Sequence, residues 1–254
     1  MAKDKNKLNP YLLFVIATAL FSAGLLMRSF PLFVFFGLAP LFAITDHANE
    51  DNMWNKIELI GVSIVVSLFA WHVFDFTYAT SVILLSIGIM LVFAAFTFAR
   101  SGLGSRLGLL PLILFWLALE YLMLRFAPTK NVFFLADAVV LKTAWLRWNT
   151  SMGYLSASLW ILMTNWFLYL GTLKNGIRIP YLVIFLIVIS GPIIYSYTLQ
   201  AEPVSRAEMI ALYTTNLSSP ASYAANGEWI PRTAAWVSVL ILLSAFVKEN
   251  IRKK

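Results

Sequence analysis

Residues 79–99 read ATSVILLSIGIMLVFAAFTFA, 21 consecutive positions without a charged side chain. At about 1.5 Å per residue such a stretch crosses a hydrocarbon layer of about 30 Å as one helix. Seven further apolar runs surround it, at 11–27, 30–45, 58–77, 107–125, 152–172, 177–198 and 232–247. Together they predict an all-α integral membrane protein, a bundle of about eight transmembrane helices forming a single domain over 1–254. The run at 30–45 is among the shortest and contains Pro31 and Pro40, so it is expected to be bent or re-entrant; counted that way, the spans number seven. Composition points the same way, because 12% charged residues is about half the share found in soluble domains.

The net charge of +7 would suggest nucleic acid in a soluble protein, but here the 19 Lys and Arg side chains sit in short loops and tails, where they set topology. Starting with the N-terminus in the cytoplasm, eight spans put twelve of the 19 on the inner side, including Lys3, Lys5, Lys7, Lys56, Arg100, Arg106, Lys174 and the Arg252-Lys253-Lys254 cluster. Both termini are therefore expected in the cytoplasm, with no nucleic-acid partner. The basic start before Tyr11 resembles a signal peptide, yet no small-residue cleavage site ends the run, so an uncleaved first span is predicted. Two outer segments exceed a tight turn. Residues 131–148 mix Phe133, Phe134, Trp145 and Trp148 with Asp137, Lys142 and Arg147, a pattern predicting a segment that lies along or dips into the outer interface; 199–231 is expected to be a polar loop. The acidic stretch from Asp46 to Asp51 reads as a solvated inner loop, since it lacks the pattern of a calcium loop.

With no cysteine and only two histidines, His47 and His72, expected on opposite sides of the membrane, no nucleophile-and-base triad is visible. The chain has no G-x-S-x-G elbow, no H-E-x-x-H motif and no phosphate-binding loop, and no metal or cofactor is expected. Asn149-Thr150-Ser151 and Asn216-Leu217-Ser218 fit a glycosylation tripeptide, relevant only in a eukaryotic secretory route. Polar groups inside apolar runs carry more information, because a charge in a span turns toward an interior, a cavity or a partner. His72 and Asp75, three apart, are expected on one helix face; Glu120 lies five residues before Arg125. In the assumed topology these four side chains occupy the outer half of the membrane. They could form a headgroup pocket with His72 and Arg125 on phosphate and the carboxylates on an ammonium, or a structural ion pair with snorkelling side chains. Trp145 and Trp148 join this candidate lipid site as an aromatic belt, and Asn165 is expected to fasten helices together.

Several strings resemble apolipoprotein N-acyltransferase, a bacterial inner-membrane enzyme: Phe30-Pro31 through Leu38-Ala39-Pro40-Leu41-Phe42, Phe115-Trp116-Leu117-Ala118-Leu119-Glu120-Tyr121-Leu122, Trp145-Leu146-Arg147-Trp148, and Leu159-Trp160-Ile161-Leu162 up to Asn165. The resemblance implies that family's eight-helix membrane domain, with Glu120, Trp71 and Asn165 matching its fifth-, third- and sixth-helix positions and Trp160 lining an outer-leaflet crevice. It implies a multi-pass protein of the bacterial cytoplasmic membrane. The family inserts a nitrilase-like catalytic domain with a Glu-Lys-Cys triad after the seventh helix, whereas here only 199–231 intervenes and no cysteine exists. The expectation is a catalytically inactive relative, a scaffold binding phospholipid or lipoprotein acyl chains, or docking to a membrane partner. Two alternatives stand beside it: a lipid-presenting subunit whose catalytic domain belongs to another chain, and a small-solute or ion transporter using His72, Asp75 and Glu120.

Overall fold

The computed structural model describes residues 9–46, 53–104, 108–126, 132–214, 223 and 226–252. The loop around His47, the Asn216 tripeptide, and Lys3, Lys5, Lys7, Arg106, Lys253 and Lys254 lie outside the described residues. Among the described residues every regular element is helical. Helix α1 spans Pro10–Leu26, α2 Val34–Gly37, α3 Ala39–Asp46, α4 Met53–Trp71, α5 Ala79–Leu103, α6 Leu110–Phe126, α7 Asn149–Met152, α8 Ser156–Thr172, α9 Ile179–Thr198, α10 Arg206–Thr214 and α11 Trp229–Arg252. Each of the eight apolar runs is thus helical, whole or in pieces. Among the described residues four helices are long and apolar enough to cross a membrane: Met53–Trp71, Phe76–Leu103, Ile179–Thr198 and Trp229–Ile251.

Local chemistry explains the ends and breaks. At the start of α1 the Asn9 side chain accepts from the Tyr11 N–H at 2.9 Å, and Pro10 occupies the first turn, where no N–H is needed. The second run breaks as its prolines require, into a 3-10 turn at Pro31–Phe33, then α2 and α3. Its broken pieces lie close against α1. A Cβ on Gly37 would stand 2.8 Å from the Phe21 Cα, so backbone meets backbone there. After Trp71 the chain leaves the helix through Val73 and Phe74, both at positive φ (54° and 58°). His72 and Asp75 consequently sit in a turn and do not share a helix face, contrary to their spacing.

Helices α1, α4, α5, α6, α8 and the α2–α3 pair pack in a closed round, with α9 outside α8 and α11 in the angle between α5 and α6. Phe42, Phe93, Trp116 and Tyr169 fill the centre. Outer faces remain apolar: Ile187 is 61% exposed, Leu240 62% and Trp236 70%. Such continuous apolar surface is incompatible with water and natural in a bilayer. At one end of the bundle Asp46, the last residue of α3, pairs with Arg100 at 2.5 Å and accepts from the Tyr169 hydroxyl. At another, Arg28 beyond α1 donates to the Trp71 carbonyl, and the Trp71 ring packs on Phe133 at 5.1 Å.

Candidate functional site

Residues 132–139 dip into the bundle. Phe133 and Phe134 are buried, and all five residues of the 3-10 turn Leu135–Val139 are buried against α8. Of the two courses the composition allows, this stretch takes the inward one, and its polar residue, Asp137, faces inward together with the apolar ones. Non-helical backbone at that depth needs partners for its N–H groups. Side chains provide them. Glu120 Oε1 accepts from the Leu135 N–H at 2.7 Å and from Trp116 Nε1 at 3.3 Å, Ser158 Oγ accepts from Ala136 at 2.9 Å, and Asp137 Oδ2 accepts from Phe134 at 2.9 Å. Glu120 therefore serves the inserted segment and is buried away from Arg125, which is exposed at the end of α6.

Asp137 links this segment to the chain after α9. Its Oδ2 also pairs with Arg206 Nη1, its Oδ1 accepts from the Tyr154 hydroxyl at 2.6 Å, and Arg206 reaches further to the Val132 carbonyl. A third buried carboxylate, Glu228, closes the N-terminal end of α8. Its oxygens accept from the Tyr154 N–H at 2.6 Å, the Leu155 N–H at 2.9 Å and the Tyr223 hydroxyl at 2.7 Å. This is the favourable place for an acidic group, at free N–H groups of a helix start. Gly153 makes room: its φ is +92°, and a Cβ there would stand 2.5 Å from Glu228 Oε2. Burial pushes Glu228 up to about 7, against the hydrogen bonds from Tyr223, Leu155 and Tyr154 that favour its charged form. Asn149 completes the fastening, accepting from the Val204 N–H at 2.8 Å and donating to the Val204 carbonyl at 3.2 Å. Sequence reasoning missed Asp137, Tyr154, Arg206 and Glu228 as a connected set, because their partners lie up to 74 residues apart.

The remaining expected site residues are distributed. His72 stacks on Tyr78 with ring centroids 4.1 Å apart, while Asp75 accepts from the Thr77 N–H at 2.9 Å. Among the described residues no hydrogen bond or ion pair joins His72 or Asp75 to Glu120 or Arg125. Trp148 donates to the Trp145 carbonyl at 2.9 Å and meets Trp160 edge-on at 6.1 Å. Trp160 Nε1 donates to the Val188 carbonyl at 2.7 Å. That carbonyl lies four residues before Pro192, which has no N–H to give it, so the indole repairs the break and ties α9 to α8. Asn165 repairs the other broken helix. Its Oδ1 accepts from Leu38 and Ala39, both at 2.9 Å, and its Nδ2 donates to Val34 and Ile161, both at 2.9 Å. All four hydrogen-bonding positions of the amide are used.

An open apolar site lies on another side of the bundle. An apolar groove of about 280 Å³ runs between α5, α6 and α11, lined by one stripe from each, within 88–95, 115–122 and 235–242. Small residues widen it: Gly88 and Ala95 on α5, Ala118 on α6 and Ala235 on α11. Ser238 brings the single hydroxyl, and it donates to its own helix at Ala234, 2.7 Å. Leu91, Leu122 and Val239 are exposed at the rim. The groove offers shape and apolar contact with no group able to do chemistry. Among the described residues no group of three or more His, Asp or Glu side chains is placed to hold a metal ion. Comparison with protein families, curated proteins and solved structures finds no match to the chain.

Proposed function

We propose that this chain is a multi-pass membrane scaffold that holds a lipid acyl chain in the groove between α5, α6 and α11. The observation carrying this reading is the groove itself: nearly wholly apolar, about 280 Å³, with exposed apolar residues at its rim, and formed by two helices long enough to cross a bilayer. A saturated chain needs only such contact, and each buried methylene contributes about 0.8 kcal/mol. In this reading the chain crosses the bacterial cytoplasmic membrane eight times with both ends inside. The pairing of helix ends supports that count. Asp46, Arg100 and Tyr169 follow or end the second, fourth and sixth runs, which eight crossings bring to the inner side, while Arg28, Trp71 and Phe133 follow or end the first, third and fifth.

Kinship with apolipoprotein N-acyltransferase is part of the proposal and rests on the sequence strings alone; lipid holding does not depend on it. The buried carboxylates serve backbone N–H groups, in keeping with a holding role. The test is native mass spectrometry of the full chain purified from membranes in mild detergent. The wild-type protein is expected to carry phospholipid or acyl chain, and Ala235→Phe together with Ala95→Phe, which fill the groove, to lose it. Retention unchanged in the filled variant, or acylation of a diacylated lipoprotein peptide by the chain alone, would overturn the reading.

A further inference from the structure

A second cavity, about 480 Å³, opens where α9 ends, and it is polar. Thr143 and Arg147 form one side and residues 200–203 the other. The Arg147 guanidinium spends one Nη1 hydrogen on the Leu199 carbonyl at 2.8 Å, its one side-chain hydrogen bond among the described residues. Glu202 lines the same cavity, is exposed, and forms no ion pair with Arg147. Two opposite charges thus share a cavity without touching, and the Thr143 hydroxyl beside them has no hydrogen bond among the described residues. The cavity is fixed to α9, because Ser196 donates to the Trp145 carbonyl at 2.8 Å, and Lys142 stands over the Trp145 ring at 5.7 Å. Trp and Lys together mark the headgroup level of a bilayer. Directly along the chain from this cavity, α9 exposes Ile187 and Ile194.

A ligand that satisfies both charges carries an anion and a cation within one small group, and the apolar helix beside the cavity selects a lipid over a free solute. We propose that this cavity binds the headgroup of a zwitterionic phospholipid, its phosphate on Arg147 and Thr143 and its ammonium facing Glu202, with acyl chains along the exposed face of α9. The guanidinium offers several N–H donors to phosphate oxygens. This inference uses residues other than those of the groove and goes beyond it.

The test offers the full-length protein an equal mixture of phosphatidylcholine and phosphatidylglycerol with identical chains and reads bound lipid by native mass spectrometry. The wild-type protein is expected to favour the zwitterionic lipid. Glu202→Gln, at an exposed side chain with no structural bond, is expected to lower that preference by about fivefold, the scale of one partly exposed charge pair. Thr143→Val and Arg147→Gln are expected to weaken both lipids. Ala235→Phe leaves the headgroup preference intact, so failure here and failure of the groove reading are distinguishable. An unchanged lipid ratio in Glu202→Gln overturns the proposal, as does displacement of the lipid by soluble phosphocholine at equal concentration, which would make the cavity a solute site.

Discussion

Two sides of the bundle are held by different physics. Where α8 meets the inserted segment, α2–α3 and the chain after α9, side chains reach backbone groups at fixed distances: Glu120 to Leu135, Asn165 to Leu38 and Ala39, Glu228 to Tyr154 and Leu155. Where α11 lies between α5 and α6, stripes of Gly, Ala, Leu, Val and Phe meet through contact and leave a groove. Directional bonds specify one geometry, because any shift strands a buried polar group. Dispersion contacts tolerate a neighbour of another shape, so a ligand can enter there without undoing the fold. The polar side is the frame, and the apolar side carries the groove.

Substitutions should separate the two sides. The largest expected effect is Asn165→Ala, which strands the Leu38 and Ala39 N–H groups and the Val34 carbonyl; at about 1–3 kcal/mol per stranded buried group, the detergent-solubilised protein is expected to lose about 3–5 kcal/mol, read as a large fall in Tm. Gly153→Ala comes next. It forces a Cβ onto Glu228 and an alanine into positive φ, so a loss of about 2–3 kcal/mol is expected, and Glu228→Ala in the same chain should relieve part of the clash without restoring stability. Glu120→Ala is expected to cost about 1–3 kcal/mol by stranding the Leu135 N–H, and Glu120→Gln to cost clearly less, since an amide oxygen still accepts. A common Tm for the two Glu120 variants would break the assignment of that carboxylate to the backbone.

Ala235→Phe sits on the other side and should change Tm by little while emptying the groove of lipid. A further effect is with pH. Glu228 has a value of about 7 in the folded chain against an ordinary 4.5, so the folded state holds its proton more tightly and stability falls as pH rises toward and through 7. Wild-type Tm should therefore decline from pH 5 to pH 8, and Glu228→Gln should show a flatter profile from a lower start.

The apolar skeleton was legible in the sequence, because a run such as 79–99 has no other physical use and Pro31 and Pro40 announce a broken helix. The inserted segment was not. Phe133, Phe134 and Asp137 suit an interface by composition, and only the folded chain reveals that Glu120 and Ser158 can satisfy backbone at 135–136 inside the bundle. His72 and Asp75 failed for a local reason: the helix ends at Trp71, through two residues at positive φ that no Gly or Asn signals. One signal was available and unused. A proline at 192 frees the carbonyl at 188, so a donor had to exist nearby, and Trp160 is that donor. The groove also left a trace, small residues at 88, 95, 118 and 235 on helical stripes, readable only once α5, α6 and α11 are known to meet.

The most direct test is photo-crosslinking of the membrane-embedded protein with a phospholipid carrying a diazirine within its acyl chain, followed by peptide mapping. Lipid holding predicts label concentrated on 88–95, 115–122 and 235–242, above the level on the exposed face of α1 at 11–16, and lost from those stripes in Ala235→Phe. Label spread evenly over every outward apolar face, with no loss in the filled variant, would contradict it.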